Sequence, residues 1–327
     1  MPDGPALLVI GECVADIVRL PGAPDRTHPG GSPANVACGL ARLGRRTTLL
    51  TQLGADPGGR LVADHLASAG VRVLTDGSGA ATPTATVLLD DAGRAAYTFE
   101  ITWTLGPVER TGEPPRHVHT GSVATALEPG ASTVLELVRS LREEATVSYD
   151  PNVRPALMGD HARAVRRAED CAALSDVVKA SDEDLRWLYP DEAPEDAARR
   201  WLRSGPAVVL VTRGAAGATA FLPDSSVSVA APPVRIADTV GAGDAFMSGA
   251  LDALASHGLL GAPGRARLRT LDAAVLDDVL RRASASAAVT VARAGALPPD
   301  RGELDAALDA GSGRHRPPPA PPSGRTP

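Results

Sequence analysis

The sequence predicts a three-layer α/β/α fold: a doubly wound, mostly parallel sheet with helices on both faces and a small β lid. Three observations predict it. Short continuous apolar runs such as Ala6–Ile10 and Ala207–Thr212 have the length and composition of strands buried on both faces. Segments with helical spacing of apolar residues separate those runs. Polar and glycine-rich stretches follow the strands, at the end of the sheet where open α/β folds bind ligands.

The elements follow in order. Ala6–Ile10 ends at Gly11 and is the first strand; Val14–Leu20 continues, with Asp16 just past the first strand. In Gly30-Gly31-Ser32-Pro33-Ala34-Asn35, Ser32 can cap a helix and Pro33 suits its first position, while Val36, Leu40 and Leu43 mark the buried face and Gly44 closes it. The double glycine exceeds what a cap requires, so something approaches the backbone there. Thr47–Gln52 reads as a strand and Gly59–Ala69 as a helix ended by Gly70. Thr84–Leu89 and Ala95–Ile101 alternate around Asp90-Asp91-Ala92-Gly93, a hairpin signal, with Tyr97, Phe99 and Ile101 on one side. His117 and His119 share a strand face; without a third ligand nearby they read as structural.

Val134–Glu144 is helical, and Thr146–Tyr149 is a strand running into the polar Asp150-Pro151-Asn152-Val153-Arg154. Helices cover 160–174 and 182–188, with the strand 177–179 between them and Ser181 as N-cap. Strands at Ala207–Thr212 and Ala218–Leu222 flank Arg213-Gly214-Ala215-Ala216-Gly217. Val234-Arg235-Ile236 reads as a strand leading into Asp238-Thr239-Val240-Gly241-Ala242-Gly243-Asp244-Ala245-Phe246, after which Phe246, Met247, Ala250, Leu251 and Leu254 share a helix face. His257–Leu271 reads as a connection and Leu276–Arg293 as a helix rich in small residues. One domain over 1–310 is expected, its lid drawn from about 12–28 and 82–105, with a disordered Pro-rich tail over 311–327.

Composition narrows the function. The chain has 327 residues, 43% apolar, with net charge −6 and both signs interspersed, which argues against a nucleic-acid surface. Cys13, Cys38 and Cys171 are odd in number and widely spaced, as reduced thiols are. There is no basic n-region and no apolar stretch long enough to span a membrane, so a cytoplasmic protein is expected.

The stretch Asp238–Phe246 is the chemical centre. Glycines followed by a helix start make an anion site from free N–H groups and the helix dipole. Asp244 has two readings on this pattern: a first-turn acid that complements the dipole, or a working carboxylate beside a bound phosphate.

Two stretches match a known family. Gly30-Gly31-Ser32-Pro33-Ala34-Asn35-Val36-Ala37 resembles the N-terminal signature of the ribokinase-like, PfkB-type carbohydrate kinases, and Asp238–Phe246 resembles their C-terminal signature. Gly11…Asp16, Asp150-Pro151-Asn152-Val153-Arg154 and Thr212-Arg213-Gly214…Gly217 fit in order and spacing over roughly residues 6–300, most like bacterial fructokinases. The resemblance implies an ATP- and Mg2+-dependent kinase, with K+ as a possible monovalent ion, acting as monomer or homodimer on a small sugar, with fructose foremost. Ribokinase, 2-keto-3-deoxygluconate kinase and nucleoside kinase are the rivals, with a sugar- or nucleotide-sensing protein as the non-enzyme alternative.

By the same resemblance Asp244 is the base, and the N–H groups of Gly241, Ala242 and Gly243 form the anion hole. Asp16, Gly30, Gly31, Asn35 and Arg154 hold the sugar. Lys179, Thr212, Gly214, Gly217 and Ser284 serve the nucleotide, Ser284 standing where the family often carries Asn. Ser181-Asp182-Glu183-Asp184 replaces the family's Asn-x-x-Glu, so the metal-bound water falls to Asp184 or Glu183. Asp238 orders its loop beside a monovalent cation.

Overall fold

The computed structural model describes residues 6–19, 22, 24–89, 95–108 and 113–311. The chain opens with β1 (Leu7–Ile10), leaves the main sheet through β2 (Val14–Arg19) and β3 (Arg26–Gly30), and returns through α1 (Ser32–Arg42) to β4 (Thr47–Thr51). Next come α2 (Pro57–Ser68), β5 (Arg72–Thr75) and a second excursion, β6 (Thr84–Leu89) and β7 (Ala95–Glu100). The βα pattern resumes with β8 (His117–Gly121), α3 (Gly130–Leu141), β9 (Thr146–Asp150), α4 (Pro155–Met158) and α5 (His161–Leu174). It continues through β10 (Val177–Ser181), α6 (Asp182–Leu188), α7 (Pro194–Ser204), β11 (Val208–Thr212), β12 (Ala218–Phe221) and β13 (Ser226–Val229). Four helices close the chain: α8 (Ala242–Ser256), α9 (Ala262–Leu268), α10 (Ala273–Val291) and α11 (Arg301–Gly311).

The main sheet runs β13-β12-β11-β10-β9-β8-β1-β4-β5, parallel except at one edge, where β12 pairs antiparallel with both β11 and β13. This is the expected doubly wound α/β/α fold. Strand alternation divides its core, because successive side chains point to opposite faces. Leu7, Val9, Val208 and Leu210 pack with α1, α8 and α10. Ile10 and Val118 pack on the opposite face with α3, and Val209 and Val211 with α5 to α7. The second sheet, β3-β2-β6-β7, stands apart from the main one. β6 and β7 pair as the alternation suggests, from Thr84↔Glu100 to Leu89↔Ala95, while the expected turn at 90–93 lies outside the described residues.

Three expectations need correction. Val234-Arg235-Ile236 forms no strand: the two prolines before it remove backbone donors, and Val234 and Ile236 face outward. The connection at 257–271 contains α9, which buries Leu268. Gly311 closes α11 rather than opening the tail; the tail from 312 on lies outside the described residues. The short edge strands β5 and β13 and the helix α7 carry too few apolar residues to signal themselves.

His117 and His119 do share a face. Both contact Ser148 Oγ, at 2.8 and 2.9 Å, and burial drives each down to about 3, so they sit neutral inside the sheet. Among the described residues, no helix is long and apolar enough to cross a membrane.

Candidate active site

A cavity of about 350 Å3 opens where the C-terminal ends of β1, β8 and β9 meet the N-termini of α1 and α8. A larger one, about 530 Å3, runs along one face of β1, β4 and β5, from the N-terminal ends of the strands up to Ile10, Leu50 and Leu74. That one is walled mainly by aliphatic side chains, and its rim residues Val108 and Glu113 flank undescribed chain. The smaller cavity is the chemically equipped one: Glu12, Asp16, Asn35, Arg154 and Asp244 all line it.

Two helix starts build its centre. Gly241 is the N-cap of α8 at φ 75, and Asp244 lies in the first turn, 7% exposed. Gly31 is the N-cap of α1 at φ 100, which displaces Ser32 from the expected cap position into the helix. The Ser32 hydroxyl is thereby free of capping and donates to Asp244 Oδ1 at 2.7 Å; Asn35 Nδ2 donates to Oδ2 at 2.8 Å. Both helices are rich in small residues and cross closely: a Cβ on Gly39 would lie 2.3 Å from Ser248 Oγ. Asp244 and its two donors therefore stand on packed helices rather than on loops.

Gly30 and Gly31 answer to the protein's own packing. A Cβ on Gly30 would meet Asp16 Oδ2 at 2.0 Å, and one on Gly31 would meet the Glu12 carbonyl at 2.6 Å. Asp16, on β2, is pushed up to about 6 by burial, against the charges of His28 and Arg154. Arg154 is exposed and donates to the Val153 carbonyl at 3.1 Å.

Lys179 ends beneath the α8 turn. A Cβ on Gly243 would lie 2.9 Å from its Nζ, which pairs with Asp150 Oδ2 at 2.8 Å. Burial lowers the Lys179 ammonium's affinity for its proton, but the charges of Asp150, Asp184 and Asp244 outweigh that and hold it above its ordinary range. Burial likewise pushes Asp150 up to about 6, although Lys179 opposes it. The pair places a buried cation under the N–H groups of 241–243, a charge suited to an anion above it.

Asp184 caps α6 in a capping box with Ser181, its Oδ2 accepting from Ser181 N at 2.9 Å and its Oδ1 from Val153 N at 2.8 Å. Each oxygen keeps a lone pair. Glu183, one residue earlier, is exposed. Asp238 accepts from Val240 N and Gly295 N at 3.0 and 2.9 Å, tying two loops beside α8. Thr212 ends β11 away from the cavity. Gly214, at φ 50, has open space where a side chain would be. Gly217 is explained without a ligand, since a Cβ there would lie 2.1 Å from the Val229 carbonyl. Ser284 is buried on α10.

Sequence reasoning passed over Glu12 and gave Ser32 a different task. Glu12 is 2% exposed and accepts from Ala124 N at 3.1 Å; burial pushes it up to about 7, against hydrogen bonds from Ser122 and the backbone. The signal was available, because Glu12 directly follows a strand that ends in glycine. Ser122 and Asn152 also line the cavity, and they are the non-glycine residues with positive φ, 55 and 37, among the described chain. Strain of this kind collects at functional sites. Trp103 falls within the 82–105 range expected for the lid, but it is buried in the core against Gly130.

A model of the pfkB family of carbohydrate kinases matches residues 6–301. The fructokinase of Klebsiella pneumoniae is 36% identical over 262 residues, spanning 77% of this chain and 85% of its own. That of Salmonella typhimurium is 35% identical over 264 residues, with the same shares. Among solved structures, a Vibrio cholerae O395 fructokinase with fructose, ADP and potassium bound superposes with TM-score 0.78 at 29% identity, over 94% of this chain and 99% of that one. A Xylella fastidiosa fructokinase with bound ATP gives 0.81 at 26% identity, with the same coverage.

Proposed function

The chain belongs to the pfkB family of carbohydrate kinases, and from that premise we propose that it transfers the terminal phosphoryl group of ATP to a hydroxyl of fructose. The observation that carries the reading is the placement of Asp244: a carboxylate held by Ser32 and Asn35 on the cavity wall, one residue after the N–H groups of 241–243. A carboxylate is too weak to deprotonate a resting alcohol. It takes the proton late, as the oxygen bonds to phosphorus. Phosphoryl transfer passes through a loose transition state, so positioning and charge do most of the work. The α8 N-terminus and the Lys179 ammonium below it stabilise the moving group.

On the acceptor side, Asp16, Asn35 and Arg154 bind hydroxyls, with Gly30 and Gly31 keeping the wall thin. On the donor side, Thr212, Gly214, Gly217 and Ser284 take the nucleotide. No three metal-ligating side chains converge among the described residues. A Mg2+ ion carried on the ATP phosphates fits this better than a resident ion, with Glu183 or the free lone pairs of Asp184 reaching it through water. When bound, it neutralises phosphate charge that would otherwise repel Asp244. The Asp238 junction offers a place for K+.

A second reading, a keto-sugar-acid kinase, is favoured by Arg154, whose guanidinium on the cavity wall could pair with a carboxylate. A nucleoside acceptor would want an aromatic ring to stack on: Trp103 is in the core, which leaves Phe99, on the cavity lining, to serve. ADP release with fructose, ribose, 2-keto-3-deoxygluconate and a nucleoside decides. Fructose should give the highest kcat/KM; a higher value with another acceptor, or no ADP from any, sinks the proposal.

A further inference from the structure

We propose that Ser32 is a positioning residue for the base: its hydroxyl pins Oδ1 of Asp244, so that Oδ2 is the oxygen that receives the acceptor's proton. This rests on the reading of Asp244 as base.

The geometry separates the two donors of the carboxylate. The Asn35 Nδ2 bonded to Oδ2 can donate but never accept. Oδ2 keeps a further lone pair beside that bond, and its contact is part-buried where the Ser32 contact on Oδ1 is buried, so Oδ2 is the oxygen an acceptor hydroxyl can reach, with the amide's second N–H turned to the acceptor's own oxygens. Ser32, 9% exposed and bonded to Oδ1 at 2.7 Å, need not move. In the transfer, the acceptor O–H bond breaks and its proton goes to Oδ2. The acceptor oxygen's electron pair forms the new O–P bond, while the bond from the γ-phosphorus to the ADP oxygen breaks and ADP keeps that pair. Throughout, the Ser32 O–H continues to donate to Oδ1.

Ser32 is not held for a local structural task. Gly31 is the N-cap, and a capping hydroxyl would accept from a backbone N–H of the first turn, whereas this one reaches 212 residues along the chain to Asp244. The close crossing of α1 and α8 at Gly39 and Ser248 fixes the distance between the two residues, so the bond is built into the framework.

Two double-mutant cycles test it, pairing Ser32→Ala with Asp244→Ala. In the kinetic cycle, Ser32→Ala alone should lower kcat about tenfold and leave KM for the acceptor within about twofold. In the Asp244→Ala background the same change should alter kcat by less than about twofold, because the group it acts through is gone. Ser32→Thr, which keeps the hydroxyl, should restore most of the rate. An equal fall in both backgrounds, or a loss confined to KM, overturns the proposal. The second cycle reads urea unfolding without substrate. Coupling between the two substitutions supports the clamp, and strict additivity overturns it. If no acceptor is turned over by the unaltered chain, the kinase reading fails and the stability cycle still decides the clamp.

Discussion

The glycine turns before α1 and α8 share a left-handed N-cap, Gly31 at φ 100 and Gly241 at φ 75, but differ in what fills the space beside them. At the first turn the neighbours are fixed: the Glu12 carbonyl, the Asp16 carboxylate and, one residue on, Ser32 bonded to Asp244. At the second, Gly241 rests on Ala296, while Gly243 faces the end of a long side chain, Lys179 Nζ. One turn is a rigid wall and the other a seat with a movable cation below it. Under the proposed reading, the same local chemistry would serve recognition at one helix and charge stabilisation at the other, because the surroundings differ.

The largest effect should fall on Asp244, which stands in the first turn of α8 and is held by Ser32 from the first turn of α1. Asp244→Asn should lower kcat by a factor on the order of 10²–10⁴, with KM for the sugar little changed. Steady-state kinetics checks this; near-normal turnover would remove Asp244 from its role.

Next is the wall. Gly31→Ala combines a left-handed φ with a Cβ 2.6 Å from a backbone oxygen that cannot swing away. It should destabilise by roughly 3 kcal/mol in urea unfolding. A loss under about 1 kcal/mol would mean that the wall yields, and the contrast between the turns would collapse.

The buried acid behind that wall gives a pH-dependent effect. Glu12 lies above its ordinary value, so the stabilisation from its protonated form is complete below pH 4.5 and is lost as pH rises to about 7. Glu12→Gln cannot ionise. The stability difference between this variant and the unaltered chain should therefore move in the variant's favour by roughly 1 kcal/mol per pH unit between 4.5 and 7. Paired unfolding curves at pH 5.5 and 8 measure it, and a pH-independent difference would show Glu12 ionised throughout.

The smallest effect belongs to the seat. In Gly243→Ala the new methyl meets a flexible ammonium, so stability should change by under about 1 kcal/mol. Displacing Lys179 should cost about five- to tenfold in kcat. A loss of stability as large as that of Gly31→Ala would make the two turns alike.

Much of this was legible in the chain. The parallel sheet declared itself through apolar runs such as Ala207–Thr212, because strands covered on both faces need no polar alternation. The turn before α8 was legible because paired glycines ahead of an apolar helical pattern mark a helix start, and Gly241 is the N-cap there. What stayed hidden depends on contacts across the fold. Ser32 has the local appearance of a cap, and nothing near it in sequence tells of Asp244. Asp150 shows itself as a polar strand end, but its pairing with Lys179 exists only because β9 and β10 lie side by side. Val234-Arg235-Ile236 misled for the opposite reason: its alternation suits a strand, yet no neighbouring strand is there to receive it.

One residue, Gly31, separates the end of β3 from the start of α1. Asp16 stands on β2 of that outer sheet, paired through the register Asp16↔His28, and the Ser32 donor stands on the helix. The Asp16 side of the cavity and the Ser32 hydrogen bond to Asp244 thus belong to one stiff bracket with a single residue between its arms. If Asp244 is the base proposed above, a molecule held at Asp16 would present to it whichever hydroxyl lies the right length away, and the bracket would act as a ruler. Regioselectivity is then a dimension of the backbone, and lengthening the bracket by one inserted residue should change which position is modified before it changes which molecule is held.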